Sequence, residues 1–229
     1  MKRDGNYEHD LRSSVWNRNC FYLRVGSLKW GEHMSFVIES RYLEDVVVVA
    51  PQAYRDERGF FMETYRADHF EKLGLPTRFV QDNQSFSHKG VIRGLHFQWD
   101  PPMGKLMRVT HGSAFLVAVD IRKGSPTLGK WVGLDVSSEN MKQVWAPAGF
   151  ARGFCALTEQ VEVQYKCTAI YSSKAESAIR WNDPDIGIKW PLTDVLLSQK
   201  DREAKTLAEW LASPNSEHFL YTQPASLSV

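Results

Sequence analysis

The chain has 229 residues, 43% of them hydrophobic and 12% aromatic, enough for one sizeable core. Its 28 Lys+Arg against 27 Asp+Glu leave a formal net charge of +1, so no global field draws in nucleic acid and an anionic ligand must be held by local cations. Three cysteines, Cys20, Cys155 and Cys167, are odd in number and lack CxxC spacing, which argues against a disulfide scaffold or a zinc site, and no apolar run approaches the roughly 18 residues of a membrane span. A cytoplasmic protein with neither nucleic-acid nor membrane partners is expected.

Residues 1–33 show no strand or helix period and no apolar stretch of signal-peptide length, and are expected to be an extension. Met34 opens the regular pattern and is a plausible natural start, so 34–229 is taken as the domain. Short β-branched and aromatic segments then follow one another: 45–50, 59–65 after the polar turn 55–58, 78–86 and 90–99. Only 67–73 has a helical pattern in this half. After the break at Asp100-Pro101-Pro102 come strands at 105–110, 113–121, 130–136, 142–146, 150–157, 161–168 and 177–181. Turn signals about every ten residues predict a mainly β fold, a closed barrel or sandwich with a few short peripheral helices. Over 198–211, Ser198 stands three residues before Asp201, and Leu207, Trp210 and Leu211 follow at helical spacing; one capped amphipathic C-terminal helix is expected.

The stretch 90–99 organises the rest. Strict alternation puts Ile92, Gly94, His96 and Gln98 on one face and Arg93 with Leu95 and Phe97 on the other, so Arg93 and His96 can serve one site only if the strand is twisted or bulged near Gly94 or Arg93 reaches around the rim. A titratable imidazole thus shares a face with a glycine that leaves space beside it.

Two other motifs are set aside. Gly124 to Lys130 matches most of a phosphate-binding loop, but Trp131 stands where the magnesium-binding hydroxyl belongs and a strand follows, so a polar hairpin loop is expected. The seven histidines show no HxH or HxxxH pairing, which argues against a metal site; His69 and His111 are expected at the surface. What remains is His96, Lys105, Tyr165 and Asp201, with Arg58, Glu63, Gln81, Asn83, Arg93 and Tyr171. Spacing alone leaves each a structural alternative: a core histidine, a solvated cation, a half-buried barrel tyrosine, a helix cap.

From Met34 to about Leu211 the sequence resembles the dTDP-4-dehydrorhamnose 3,5-epimerases, whose fold is a cupin-type jelly roll. The resemblance rests on ordered blocks, among them Asp56-Glu-Arg-Gly-Phe-Phe61, Phe79-Val-Gln-Asp-Asn83, Arg93-Gly-Leu-His-Phe-Gln98, Gly104-Lys-Leu106, Tyr165-Lys166, Trp181-Asn-Asp183 and Leu197-Ser-Gln-Lys-Asp201. It implies an isomerase of deoxysugar and polysaccharide biosynthesis that epimerises C3 and/or C5 of a nucleotide-linked 4-keto-6-deoxyhexose. His96 would be the base, Asp201 its orienting partner, Tyr165 the acid on the opposite ring face and Lys105 the cation at the enolate. It further implies a homodimer and a nucleotide pocket partly supplied by the neighbouring subunit, with Arg58, Phe61, Glu63, Gln81, Asn83 and Arg93 around base and diphosphate and Tyr171 stacked on the base. No cofactor and no metal are required.

Two positions depart from that family pattern: Leu116 stands where an Asp is usual and Arg152 where a His is usual. Their joint replacement avoids leaving either half of a His-Asp pair unsatisfied. Arg152 is permanently charged, so it can assist an enolate or a phosphate but not shuttle protons. The expectation is that the C3/C5 outcome, or the sugar accepted, differs from the family norm. The alternatives are a C3-only or C5-only epimerase, a sugar ketoisomerase, which Gln98 in place of a second histidine disfavours, and a non-catalytic nucleotide-sugar-binding cupin.

Overall fold

The computed structural model describes residues 34–222; the extension expected over 1–33 lies outside the described residues. In chain order the elements are β1 (Phe36–Tyr42), β2 (Val46–Pro51), β3 (Ala53–Asp56), β4 (Gly59–Met62), α1 (Ala67–Lys72), β5 (Gln81–His88) and β6 (Ile92–Gln98). There follow β7 (Lys105–His111), β8 (Ser113–Asp120), β9 (Trp131–Ser137), β10 (Gln143–Ala146), β11 (Phe150–Ala156), β12 (Gln160–Cys167) and β13 (Glu176–Ala178), then α2 (Gln199–Arg202), α3 (Leu207–Leu211) and a 3-10 turn at Pro214–Phe219. One sheet has the order β1-β2-β10-β7-β12-β5, the other β13-β6-β11-β8-β9, and β3-β4 form a separate hairpin. Every strand pair is antiparallel, as a jelly-roll sandwich requires. No helix among the described residues is long and apolar enough to cross a membrane.

The core lies between the sheets, where Val46, Met107, Val109 and Val163 of one meet Leu116, Ala118, Phe150 and Phe154 of the other. The outer face of the six-stranded sheet is covered as well: Val47, Val49, Leu106 and Trp145 pack with Phe36, Phe70 and Leu75. With both faces covered, Val46 to Val49 are all buried, which is why this run is uniformly apolar and not alternating. The outer face of the five-stranded sheet is closed by Leu207, Trp210 and Phe219 against Leu95, Phe97 and Val119.

Several expectations need correction. Strand β1 was not anticipated, because a bulge between Ile38 and Ser40 breaks its alternation. Strand β3 occupies part of what the sequence suggests is a turn, since its residues Tyr54, Arg55 and Asp56 are exposed and polar enough to look like one. His69 is buried, not a surface residue: at 4% exposure its Nδ1 accepts from the Ser35 backbone N–H at 3.1 Å, beneath the unanticipated β1. The C-terminal helix is two helices. Lys205 between them is extended, its carbonyl accepting from the Arg180 N–H at 2.7 Å, and Thr206 restarts the helix with a capping box to Glu209. The loop from Gly124 to Gly129 is a polar hairpin connection as expected, closed on Asp120, whose Oδ2 accepts from Ser125 Oγ and Thr127 Oγ1, each at 2.6 Å.

Candidate active site

The histidine strand is not regular. Arg152 of β11 pairs with His96 while Phe154, two residues on, pairs with Arg93, so β6 carries an extra residue around Gly94 and Leu95. This bulge overturns the strict alternation and turns Arg93 to the same face as His96. Only glycine fits at 94: φ is +136°, and a Cβ there would meet Gly153 Cα at 2.6 Å and the Arg152 carbonyl oxygen at 2.9 Å. Arg93 reaches the rim, donating from Nε to Ser87 Oγ at 3.0 Å and from Nη2 to the Phe86 carbonyl at 2.9 Å.

His96 Nε2 lies 2.6 Å from Asp201 Oδ1. Asp201 is placed by the first turn of α2: its N–H donates to Ser198 Oγ at 3.1 Å, and that hydroxyl donates to Asp201 Oδ2 at 2.9 Å. Burial would raise the Asp201 carboxyl, but the bond and charge of His96, with Ser198 and Lys200, hold it below the usual carboxylate value. Asp201 therefore stays ionised, fixes the imidazole's tautomer and stabilises its protonated form.

Lys105 and Tyr165 come from the other sheet, on adjacent strands β7 and β12, with Lys105 Nζ 4.8 Å from the centre of the Tyr165 ring. Burial, then the charge of Arg152, lowers Lys105 to about 8. Burial also raises the Tyr165 hydroxyl, with Cys167 adding and Arg93 and Asn83 opposing, so it keeps its proton at neutral pH. Arg152 is buried between the sheets; burial pushes it down to about 10, still fully charged at neutrality. Leu116, facing Phe154 across the strands, packs in the apolar core.

Gln81, Asn83 and Tyr171 converge beside Tyr165. Asn83 is the strand partner of Tyr165, Gln81 Nε2 donates to Asn83 Oδ1 at 3.1 Å, and the Tyr171 N–H donates to Gln81 Oε1 at 2.8 Å. The Tyr171 hydroxyl donates to Glu176 Oε2 at 3.0 Å, and Lys200 Nζ bonds the same oxygen. Glu176 is opposed by burial, yet Lys200, Tyr171 and the charge of His96 keep its carboxyl below the ordinary range. Glu176, Lys200 and Ser198 are site residues that sequence reasoning missed as such. Lys200 and Ser198 stand inside the Leu197–Asp201 block, whereas Glu176 has no local signal.

Three expected binding residues stand apart. Arg58, at the tip of the β3-β4 hairpin, is bonded to its own Asp56. Phe61, on the same hairpin, is 59% exposed and lines a groove of about 350 Å³ with Arg108, Thr110 and Met141. Glu63 pairs at 3.5 Å with Arg66, leaving Oε2 buried without a partner.

A family model described as dTDP-4-dehydrorhamnose 3,5-epimerase matches residues 40–209. The chain belongs to the dTDP-4-dehydrorhamnose 3,5-epimerase family. Similar proteins include the dTDP-4-dehydrorhamnose 3,5-epimerase of Methanothermobacter thermautotrophicus, 51% identical over 170 residues that cover 73% of this chain and 92% of that one. The Pseudomonas aeruginosa protein of the same name is 50% identical over 169 residues, covering 73% and 93%. Among solved structures, the dTDP-6-deoxy-D-glucose-3,5-epimerase of Legionella pneumophila in complex with dTDP-4-keto-L-rhamnose superposes with a TM-score of 0.77 at 45% identity, covering 82% of this chain and all 100% of that one.

The span matched by the epimerase family runs from before Arg58 to beyond Asp201, so it contains each of the site residues named above. Leu116 and Arg152 lie well inside it too. Both belong to the epimerase domain itself, in the layer between the two sheets.

Proposed function

We propose that this epimerase acts on a dTDP-linked 4-keto-6-deoxyhexose, inverting C3, C5 or both. The observation that carries the reading is the 2.6 Å His96–Asp201 pair on one sheet, set against Lys105 and Tyr165 on the other. The ketone at C4 acidifies the neighbouring C–H groups. His96 removes a proton from one ring face, and Asp201 stabilises the imidazolium that forms. Charge then develops on the C4 oxygen, where the Lys105 ammonium is worth a few kcal/mol. Tyr165, still protonated, returns a proton from the opposite face and the centre is inverted. The substrate's diphosphate falls to Arg93 and, because the hairpin holds each chain's own Arg58 apart from it, to Arg58 of the neighbouring subunit; the forked donors of both suit paired oxygens. Gln81, Asn83 and Tyr171 hold the base.

A homodimer in the cytoplasm is part of this reading. It is supported by the hairpin, where Tyr54, Phe60 and Phe61 are 44%, 53% and 59% exposed, an apolar patch that a second subunit would cover. Sedimentation equilibrium tests the assembly. The chemistry is tested by turnover of dTDP-4-keto-6-deoxyglucose in deuterated water. Solvent label entering C3 or C5 is the expected result, and the number of labelled centres tells a double from a single epimerase. Tight binding with no label at either centre would mark a binding protein instead and overturn the assignment.

A further inference from the structure

Arg152 is 3% exposed and forms no ion pair with a carboxylate among the described residues; its bonds go to backbone carbonyls. Its neighbours across the strands are His96 on β6 and Ala118 on β8. From there the side chain crosses to the other sheet, where Nη1 donates to the Ala146 carbonyl at 3.2 Å and Nη2 to the Met103 carbonyl at 2.8 Å. Ala146 is the strand partner of Lys105, and Met103 lies two residues before it, so the guanidinium is fixed at the root of the Lys105 strand. Nε is buried with no partner. A guanidinium buried without a counter-ion costs stability, and the two backbone carbonyls offset only part of that cost.

The groups acting on Lys105 come from four elements: Tyr165 and Cys167 on β12, Arg152 on β11, Glu176 on β13 and Lys200 on α2. Glu176 is the one carboxylate in that set, and Lys200 is bonded to it. The charge of Arg152 is therefore felt by Lys105 without a counter-ion of its own.

We propose that Arg152 is a tuning residue for Lys105 and that its charge, added to the burial of the ammonium, makes Lys105 a proton donor to the C4 oxygen of the bound sugar and not only a fixed charge beside it. This rests on the epimerase reading above. His96 takes the C–H proton, the pair left on carbon forms a C=C bond, and the carbonyl π pair moves to the C4 oxygen. Lys105 protonates that oxygen and becomes a neutral amine. On return, the enol proton goes back to Lys105 as the carbonyl re-forms and Tyr165 protonates carbon from the other face. His96 then loses its proton to water, and the tyrosinate regains one from water. An ammonium near 8 suits such a transfer, where one at the ordinary lysine value of 10.5 would hold its proton too tightly. An arginine keeps its field at every working pH, which a histidine would not.

The test is an NMR titration of Lys105 in the protein without substrate, alongside the pH profile of kcat. Wild type is expected to titrate near 8. Arg152→Met should move Lys105 up by about one unit, carry the alkaline limb of kcat up with it, and leave KM within about twofold. A wild-type Lys105 at its ordinary 10.5 overturns the proposal, and this outcome stands even if Arg152→Met fails to fold. So does an Arg152→Met protein that loses kcat at every pH with the limb unmoved, the mark of a purely structural role. Because the titration needs no substrate, an inert wild type overturns the epimerase reading, while a Lys105 that still follows Arg152 upholds the tuning.

Discussion

His96 and Asp201, 105 positions apart in the chain, meet at 2.6 Å, and the carboxylate is held in turn by Ser198 through both its backbone N–H and its Oδ2. The pair ties the middle strand of the site to the first turn of α2. Asp201→Asn keeps the shape but removes the charge that favours the imidazolium, so kcat should fall by roughly 10²- to 10⁴-fold with KM little changed. Ser198→Ala leaves the carboxylate in place but loosens it and removes a helix cap worth about 1 kcal/mol. Its kcat should fall only a few-fold. Steady-state kinetics at fixed pH on the two variants check the order; equal losses would mean that Ser198, not the charge, carries the effect.

The same carboxylate sets an acid limit on stability. In the folded protein Asp201 lies below its ordinary 3.8, because His96, Ser198 and Lys200 outweigh burial, which alone would raise it. A lowered folded-state value means that the unfolded chain binds the proton more readily. The stabilisation is therefore present above the unfolded value and lost as pH falls through the folded one. Melting temperatures of wild type and Asp201→Asn should differ most near neutrality and converge from about pH 5 downward. A gap that stays constant into acid would show that the carboxylate gains nothing from its partners.

Much of this was legible from residue order. The strands from Gly59 to Ala178 follow from β-branched and aromatic runs cut by Gly and Pro, because each turn carries its own local chemistry. His96, Lys105, Tyr165 and Asp201 are readable by type and by the blocks around them. What hid was non-local. At Gly94 the sequence leaves a twist, a bulge and a reach around the rim all open, and only the pairing with β11 decides for the bulge that puts Arg93 and His96 on one face. His69 looked like a surface residue because its partner, the Ser35 backbone, belongs to a region whose own strand is masked by a bulge. Glu176 becomes a site residue only because β13 pairs with β6 and brings it opposite Gln98. The C-terminal helix breaks because Lys205 bonds as an extended strand to the 179–180 segment, a contact that helical spacing does not foresee.

Gly94 carries a second, purely steric expectation. A methyl group there faces backbone on every side, with Gly153 Cα at 2.6 Å and the Arg152 carbonyl oxygen at 2.9 Å, and backbone does not swing aside as a flexible side chain does. Gly94→Ala should destabilise by at least about 3 kcal/mol, and should do so more than Gly59→Ala. At Gly59, also at positive φ (+127°), a Cβ meets nothing within 4 Å. Urea unfolding of both variants separates the clash from the dihedral cost they share. Equal destabilisation would show that β6 and β11 can part without penalty.

Tyr165 allows the two halves of the reaction to be separated. Burial keeps its hydroxyl protonated, so it is placed to give a proton to carbon, while abstraction belongs to His96 on the opposite sheet. Tyr165→Phe keeps the ring, and with it the cation–π contact to Lys105, and removes only the O–H. His96 can still take the substrate proton, exchange it with solvent through a side chain that is 27% exposed, and return deuterium to the same face. The variant should therefore invert its substrate roughly 10²- to 10⁴-fold more slowly, while label continues to enter recovered, uninverted substrate within about tenfold of the wild-type exchange rate. Mass spectrometry and NMR of the sugar after partial turnover in deuterated water read both quantities at once. If exchange and inversion fall together, Tyr165 acts before the enolate forms and is not the acid of the second half.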